Sequence, residues 1–583
     1  MRQVFDIFVS REKRPFNIYD FLVATLLLVL VWMIGSLGRD MGTAFSPENV
    51  PQVDLDVWKL PYYAARSTLR MFIAYGFSFL FTLIVGYLAV HSQRARVVII
   101  PAIDILQSVP VLGFLSVTIT GFMALFPKSL LGVEMASLFA IFTGQVWNMT
   151  LGFYYALMSL PTDMKDVGSV FGMNAWQRFK TYELPSSAIS LVWNSMMSFG
   201  GGWFFVVQSE AIQVLNQDIM LPGIGSYMAK AIAEKNSQAS FYALITMILI
   251  VVITDQFVWR PIVVWSQKFR VELTDSTQSS SSWFLDFLKR SEFVRENFQK
   301  LAQWIMRLVD RVFDRIIDSF EKEVVRKPKG QKLIGVLTNF IVIAFFLLGT
   351  HYSILLVRKI NTGLTLDQVK QIIYLGSLTM LRVFTMVVLA TLVWTPIGVW
   401  IGFRPRVAAI AQPVALIASS FPMNMTIPFV VGFFVAYNVS MNWVGSIVLL
   451  ALGTQWYILF NVIAGASAIP TDKRECARIF GLRGWKLWTK LLIPSIFPYW
   501  VTGACTAAGG AWNASIVAEL VPWGNQVLKA NGLGAFISEV TKSGDWPAIF
   551  CSILVMSSFV VLINRFVWKH LYRISEQKFK MDV

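Results

Sequence analysis

Charged side chains inside long apolar runs are the residues of this sequence most able to act on a solute. Arg70 and Arg382 lie at equivalent places in two such runs, and Asp104 lies in another, between two prolines. Ionisable groups within a membrane are costly and commonly mark solute pathways. The arginines could instead reach lipid headgroups or bond to backbone carbonyls, and Asp104 could bond to a neighbouring helix. All three are candidate pathway residues.

Two glycine-rich stretches supply further pathway candidates. GGGW at 200–203 matches GGAW at 509–512, and Asn513 follows the second copy. Small residues let helices approach closely, so packing is one interpretation. The other adds that Trp203, Trp512 and Asn513 shape the pathway.

Two glutamates just beyond these stretches have a matched setting. Glu210 and Glu519 each precede a GxG turn by the same distance. Each could cap a helix or contact a partner outside the membrane. We retain both as candidate contacts for a periplasmic partner.

Motifs for catalysis and metal binding are missing from the sequence. It contains no GxxxxGK[ST] phosphate loop, no HExxH and no Cys/His spacing typical of a metal site. The three cysteines have no evident partners, which predicts reduced thiols. The sequence therefore predicts no catalytic residue, metal or cofactor in this chain, and any ATP and Mg would bind to a separate ATPase subunit.

Composition indicates a membrane protein. Of 583 residues, 56% are apolar and 14% are charged, which is far too apolar for a soluble protein. The net charge of +16 could suggest nucleic acid. However, most lysines and arginines lie in loops on one predicted face, as expected for membrane insertion and contact with anionic lipid. We expect membrane lipids as partners and no nucleic acid.

A basic, proline-bounded segment lies between two apolar runs and occurs twice. LPTDMKDVGSVFGMNAWQRFKTYELP at 160–185 aligns without a gap with IPTDKRECARIFGLRGWKLWTKLLIP at 469–494. Each copy predicts a short helix, a glycine break at Gly172 or Gly481, and a second helix. We call 160–185 the first elbow and 469–494 the second elbow. Such polar segments cannot lie in lipid, so they must lie in water.

The elbows resemble the cytoplasmic "EAA" loop of ABC importer permeases. That loop has an acidic-small-small triplet, a glycine four positions later, and an apolar-any-apolar-Pro ending. Both elbows keep the spacing, and the first departs in identity at Gly168 and Tyr182. The resemblance implies that the elbows couple to ATPase subunits through Asp163, Asp166, Gly168, Gly172, Pro185, Asp472, Glu475, Ala477, Gly481 and Pro494.

The apolar runs predict an all-α polytopic protein of about 12 transmembrane helices in two parallel six-helix repeats. The runs lie at about 21–37, 67–90, 97–126, 133–158, 186–208 and 240–262, and at about 333–357, 376–402, 407–436, 443–467, 496–518 and 546–568. The predicted domains are a first half at 1–265, a cytoplasmic linker at 266–332 and a second half at 333–583. Loop charges predict cytoplasmic termini and elbows.

The linker contains an amphipathic pattern and the two halves differ inside. Apolar residues recur at three and four positions from 294 to 312, which predicts a helix on the inner leaflet or against the bundle, or a regulatory contact with the ATPase. Asp104 corresponds to Leu416, and Asn513 corresponds to Phe204. The halves are therefore not equivalent along the predicted pathway.

Further motifs narrow the resemblance to the nitrate, sulfonate, taurine and bicarbonate branch of these permeases. They are the early Arg of the second run, the VP and FP pairs at 109–110 and 421–422, and AE followed by GLG at 518–534. The resemblance implies a type I importer fold in a bacterial inner membrane, two ATPase subunits, and a periplasmic or lipid-anchored solute-binding protein. The expected cargo is a small anion, with a neutral or heteroaromatic solute as alternative. A 6+6 secondary transporter is the alternative function.

Overall fold

The structure is a computed structural model. It describes residues 18–43, 52–269 and 363–578 except 108, 215–216 and 525, together with 282–291 and isolated positions between 300 and 358. The expected span at 333–357 and most of the expected linker helix at 294–312 lie outside the described residues.

Helices form nearly all of the described structure. In the first part of the chain they are α1 Ile18–Met41, α2 Leu60–His91, α3 Gln93–Leu106, α4 Leu115–Leu125, α5 Leu131–Met158, α6 Thr162–Val170, α7 Ala175–Arg178, α8 Leu184–Glu210, α9 Ile224–Ala233, α10 Ser237–Thr254, α11 Arg260–Ser266 and α12 Trp283–Arg290. In the second part they are α13 Leu366–Gly402, α14 Pro405–Ser420, α15 Ile427–Ala436, α16 Ser446–Ser467, α17 Thr471–Ile479, α18 Gly484–Leu487, α19 Ile493–Ala518, α20 Leu533–Ser543, α21 Trp546–Ile563 and α22 Lys569–Lys578.

Two short antiparallel hairpins add strands that the sequence did not predict. They are β1 Ala211–Val214 with β2 Gln217–Met220, and β3 Leu520–Trp523 with β4 Gln526–Lys529. Each hairpin directly follows the long helix that ends at Glu210 or Ala518. They lie at the ends of the molecule away from the elbows.

The internal repeat extends to individual elements. From the elbows onward, α6 and α17, both hairpins, and α10 and α21 recur 309 positions apart, as Thr162 and Thr471 do. Even the π-helical turns recur, at 179–183 and 488–492 and at 255–259 and 564–568. The core of each half is the same, because α2 packs on α5 and α5 on α8, as α13 packs on α16 and α16 on α19.

Seven described helices are long and apolar enough to cross a membrane, so the expected twelve are not confirmed. They are Asp20–Met41, Val57–His91, Ser237–Phe269, Leu366–Gly402, Met441–Ser467, Gly484–Ala518 and Trp546–Ser575. α5 and α8 have the length but are not among them. Both are interior helices with many buried polar residues, such as Gln145 and Ser195, so their apolar content is lower. The third runs are too short because prolines divide them.

Each proline break packs against the opposite half. Pro110 ends the helical path after α3, and its backbone is extended, as is that of Phe421 before Pro422. The turn at Val111–Phe114 then lies on α19 and α21, whereas the turn at Met423–Met425 lies on α8 and α10. This exchange joins the two halves into one core.

A buried ion-pair cluster joins the helices of the first half at the end away from the elbows. The Arg70 Nη1 atom lies 2.6 Å from Oε1 of Glu210, and its Nη2 atom lies 2.7 Å from Oε1 of Glu134. Arg66 also donates to Glu134 at 2.6 Å. All four side chains are buried. Two arginines and two glutamates therefore neutralise one another in the interior of the protein.

The second half has a smaller version of the same cluster. Arg382 Nη1 lies 2.8 Å from Oε1 of Glu519, and its other donors reach the carbonyls of Asn442 and Asn531 at 2.9 Å. At the positions of Arg66 and Glu134 this half has Leu378 and Trp443. The extra arginine and the extra glutamate of the first half therefore occur together, and both clusters remain neutral.

The glutamates of these clusters also cap helices, which was one of the two expectations for them. Glu210 Oε2 accepts from the Gly225 backbone at 2.7 Å, and Glu519 Oε2 accepts from Gly534 at 2.8 Å. A Cβ on Gly223 would lie 2.2 Å from the Glu210 carboxylate, so the GxG turn must be glycine for the carboxylate to approach. Both glutamates are buried, so in this structure neither side chain is available to a periplasmic partner.

Removing the carboxylate charge of the second cluster should destabilise the protein strongly. Glu519→Gln leaves Arg382 buried without a counter-charge, a change that costs about 3–5 kcal/mol. The matched control is Glu539→Gln, because Glu539 pairs with Lys529 on the surface and such pairs contribute about 0–1 kcal/mol. Thermal unfolding of the purified full chain measures both. Equal unfolding temperatures for the two variants would contradict the role given to this pair.

Candidate functional site

The elbows have the predicted helix, glycine break and second helix. α6 and α17 end in glycines with left-handed backbones, Gly172 at φ 58° and Gly481 at φ 64°. The Met173 backbone N–H donates to the Gly168 carbonyl at 3.0 Å, and Leu482 donates to Ala477 at 2.9 Å. These are bonds of a Schellman ending, which needs a left-handed residue. The glycines are therefore required by the turn.

The proline of each elbow does not end the second helix but lies in the first turn of the long helix that follows. In the first elbow, α7 runs into α8 through the π turn at Phe179–Glu183, just before Pro185. The second elbow repeats this before Pro494. A proline has no N–H to donate, and the change of helical register precedes it. Each elbow is thus continuous with a membrane helix.

The two departures of the first elbow from the EAA pattern compensate for each other. A Cβ on Gly168 would lie 2.9 Å from the Tyr182 hydroxyl. In the second elbow the equivalent positions hold Ala477 and Leu491. The residue at the first position is larger there, and the residue at the second position is smaller. The larger Tyr182 therefore fills the volume that a side chain at Gly168 would occupy, and the elbow keeps its shape.

Each elbow presents an apolar tip to solvent. Val170 and Phe171 are 81% and 71% exposed, and Ile479 and Phe480 are 82% and 79% exposed. The acidic residues expected to couple, Asp163, Asp166, Asp472 and Glu475, are exposed as well. Adjacent apolar side chains ringed by charges are typical of a surface that a partner covers.

Different contacts anchor the two elbows to the core. In the first half, His91 Nε2 lies 2.9 Å from Glu183 Oε1. In the second half, Arg474 lies over the ring of Phe403 at 4.5 Å and donates to the Ala466 carbonyl at 2.9 Å. A displaced elbow would therefore move the helices behind it.

A cavity of about 910 Å³ lies between the two halves. Its walls include the middle of α8 and of α19, from Thr502 to Ala514, and the end of the chain near Lys569 and Arg573. No residue of α19 beyond Ala514 is in the lining, although the helix continues to Ala518. The cavity therefore extends toward the elbow side and is closed toward the buried ion pairs.

The predicted pathway residues divide between this cavity and the core. Asp104, Trp512 and Asn513 line the cavity, and Gln107 Nε2 donates to Asp104 Oδ1 at 3.3 Å. Trp203 is instead buried, with its ring 5.9 Å from that of Phe199. Arg70 and Arg382 are absent from the lining because they lie in the ion-pair clusters.

Comparison with known protein families identifies both halves. The model of the family described as "Binding-protein-dependent transport system inner membrane component" matches residues 78–258 and 395–580. The chain belongs to this family of ABC transporter permeases. It is a multi-pass inner-membrane protein with two permease domains, a non-catalytic subunit whose family has no cofactor. In the described part of the permease, no group of three His, Cys, Asp or Glu residues could hold a metal ion.

Individual relatives match parts of the permease. A putative ABC transporter permease of Methanocaldococcus jannaschii is 24% identical over 201 residues, which cover 33% of this chain and 72% of that protein. The bicarbonate transport system permease protein of Synechococcus elongatus is 25% identical over 179 residues, 31% of this chain and 61% of the relative. A putative aliphatic sulfonates transport permease protein of Bacillus subtilis is 23% identical over 273 residues, 43% of this chain and 94% of the relative. The match to the bicarbonate permease thus spans less than two thirds of that protein.

The linker of the permease contacts the first elbow. Asp310 Oδ1 accepts from Trp176 Nε1 at 2.7 Å and from Lys180 Nζ at 2.8 Å. Partial burial opposes the charge, but the bonds from Lys180 and Trp176 outweigh it and hold the pKa of Asp310 below its usual range. The corresponding residues of the second elbow are Trp485, which is exposed, and Thr489. The two elbows therefore differ in their surroundings.

Several residues of these sites were missed from the sequence. Glu134 opens the apolar run of α5 and Arg66 precedes that of α2, and neither is among the candidate residues named from the sequence. The sequence does carry a sign of the pair. Neither residue has a charged counterpart in the second half, and their charges are opposite. Ser67 and Thr379, which donate to Glu210 and Glu519, were visible as aligned hydroxyls.

The compensation between Gly168 and Tyr182 predicts a rescue. Gly168→Ala places a methyl group against the Tyr182 ring, so the first elbow should open more readily, by about 0.5–3 kcal/mol for directly coupled sites. Adding Tyr182→Leu should restore it. Hydrogen–deuterium exchange of amides 162–173 reports local opening, with amides 471–482 as the internal control. Equal exchange in the single and double variants would show that the two residues are not coupled.

Proposed function

We propose that the protein is the translocation subunit of an importer that moves a small anion from the periplasm to the cytoplasm, driven by ATP hydrolysis in two ATPase subunits. The observation that best supports this proposal is the pair of exposed apolar tips at matched positions of the two elbows, Val170–Phe171 and Ile479–Phe480. Family membership implies an ATPase and a binding protein as partners. One ATPase subunit would dock on each elbow.

We infer the direction of movement from the resemblance of the elbows to the EAA loop of importers, and the position of the cavity fits that inference. Both chain termini and both elbows would lie in the cytoplasm, where the positively charged loops concentrate. The cavity extends toward that side and is closed on the other. The structure would then correspond to the inward-facing state, from which a solute leaves into the cytoplasm. A periplasmic or lipid-anchored binding protein would deliver it to the outer loops, including the two hairpins.

The substrate class is supported by the relatives. Their names include bicarbonate and sulfonate permeases, and the motifs resemble the branch that also carries nitrate. In the cavity, Lys569 and Arg573 would attract an anion, while Asp104 would make the first-half wall acidic. The pathway would thus be asymmetric, lined by Asp104, Trp512 and Asn513.

A 6+6 secondary transporter is the alternative function. Proton coupling in such a transporter needs acids that can gain and lose a proton within the membrane. In the described part of the chain, five acids are buried. Glu134, Glu210 and Glu519 are each bound to an arginine. Glu183 pairs with His91 at the first elbow, and Asp20 accepts a hydrogen bond from Ser291. This favours the ATP-driven importer, and the discriminating observation is whether uptake requires the ATPase.

A bulky residue at the turn of the second elbow should uncouple transport. Gly481 has a left-handed backbone, and a side chain there costs about 1–2 kcal/mol, so Gly481→Val should reorient the Ile479–Phe480 tip. We expect ATP hydrolysis to continue and uptake by reconstituted vesicles to fall at least tenfold. Gly42→Val, directly after α1, is the control, because a Cβ there would make only an ordinary contact, 3.7 Å from the Arg39 carbonyl oxygen. Wild-type uptake by Gly481→Val would contradict the docking role.

Asp104 supplies a test of asymmetry. It is exposed to the cavity, whereas its counterpart Leu416 is half-buried against the core and is not among the residues that line the cavity. Asp104→Leu should impair uptake, and adding Leu416→Asp should restore little of it, because that aspartate would not reach the cavity. Uptake of labelled anion at matched expression measures both. Normal uptake by Asp104→Leu would show that the aspartate is not part of the pathway.

A further inference from the structure

We propose that Asn513 determines the solute specificity of this permease by presenting its amide N–H groups to a hydrogen-bond acceptor on the solute. The acceptor would be an oxygen of a nitrate, carboxylate, bicarbonate or sulfonate group. The inference rests on the proposed function, since it assigns a recognition role within the same cavity. Five observations carry it.

The orientation of the Asn513 amide is fixed by the opposite half. The backbone N–H of Val111 donates to Asn513 Oδ1 at 2.9 Å. A backbone N–H can only donate, so its partner must be the amide oxygen, and Nδ2 keeps both hydrogens. Within the described residues, Nδ2 has no acceptor. The Asn513 side chain therefore presents two N–H donors to the cavity, while its oxygen is already bonded to the Val111 N–H.

Tyr457 supplies a second donor to the same cavity. Its side chain lies between α8 and α19: a Cβ on Gly201 would lie 3.5 Å from the hydroxyl, and a Cβ on Gly510 would lie 3.9 Å from the ring. Gly510 precedes Asn513 by three residues on α19, so both are on one helix face. Tyr457 and Asn513 thus line the same wall of the cavity.

A buried hydroxyl without a partner lines the facing wall. Ser198 is 4% exposed, its Oγ has no hydrogen-bond partner among the described residues, and it belongs to the cavity lining. A buried polar atom without a partner is costly, and a bound ligand would satisfy it. Ser198 lies on α8 six residues before Phe204, the position equivalent to Asn513, so it is about 9 Å nearer the elbow side. Neutral donors therefore line the cavity on both halves, at two levels.

Charged side chains of the lining are exposed and lie elsewhere. They are Asp104 at the end of α3, and Lys569 and Arg573 on α22. Neutral donors bind an anion less tightly than a buried cation would. Such a site suits a solute that must bind and then leave.

At the level of Asn513 the amide donor is present on one wall only. The equivalent position in the first half is Phe204, whose side chain also lines the cavity but has no polar atom. At this level a solute would therefore place an acceptor group toward Asn513 and an apolar edge toward Phe204. A change at Asn513 has no second copy to compensate for it.

The test uses the full chain reconstituted with its ATPase subunits and binding protein. Asn513→Asp keeps an oxygen for the Val111 N–H but replaces the two donors by a negative charge, so uptake per ATP hydrolysed should fall at least tenfold. Asn148→Asp is the matched control, because it places the same charge elsewhere in the cavity lining. That control should lose no more than about threefold in uptake. The probes are nitrate, bicarbonate and methanesulfonate.

A second measurement separates this proposal from the proposed function. Thermal unfolding of the purified complex in each anion, relative to chloride, should show stabilisation for the wild type and none for Asn513→Asp. Stabilisation without uptake would reject the importer but leave the donor site standing. Uptake by Asn513→Asp within twofold of wild type, or an equal loss in Asn148→Asp, would overturn the role of Asn513. Neither uptake nor stabilisation with any of the three anions would reject both.

Discussion

A buried arginine bonded to a buried glutamate in each half is the interaction on which the rest of the structure depends. In the first half, the pair of Arg70 and Glu210 joins α2 to the end of α8. In the second half, the pair of Arg382 and Glu519 joins α13 to the end of α19. The same carboxylates cap α9 and α20, so one charge satisfies an arginine and a helix terminus together. Because an unpaired buried charge is so costly, these contacts hold each half as one body.

Because each half is held as one body, a force on an elbow is transmitted through the helix that begins there. α8 begins at the first elbow and ends at Glu210, a distance of about 40 Å for its 27 residues. A partner that displaces the elbow would move the whole helix and the cluster at its far end. The deformable parts are then the proline breaks, whose turns rest on the opposite half, and the bond from Val111 to Asn513 across the cavity.

Sequence reasoning was strongest where a repeat constrained it. The 309-residue spacing predicted both elbows, their glycine turns and the matched glutamates, and the structure places all of them at equivalent positions. It was weaker where only packing decides. Trp203 and Trp512 look equivalent in the sequence and both are buried, yet only Trp512 is among the residues that line the large cavity. Glu134 and Arg66 could not be paired from the sequence, because 68 residues separate them and only the packing of α2 on α5 brings them together.

The central claim is that both elbows carry an ATPase subunit, although their surroundings differ. Asp310 occupies part of the first elbow, and its Gly168 and Tyr182 depart from the pattern that the second elbow keeps. Native mass spectrometry of the complex purified through the full chain measures the stoichiometry directly. The account predicts two ATPase subunits for each chain. A complex that contains one ATPase subunit, or none, would contradict it.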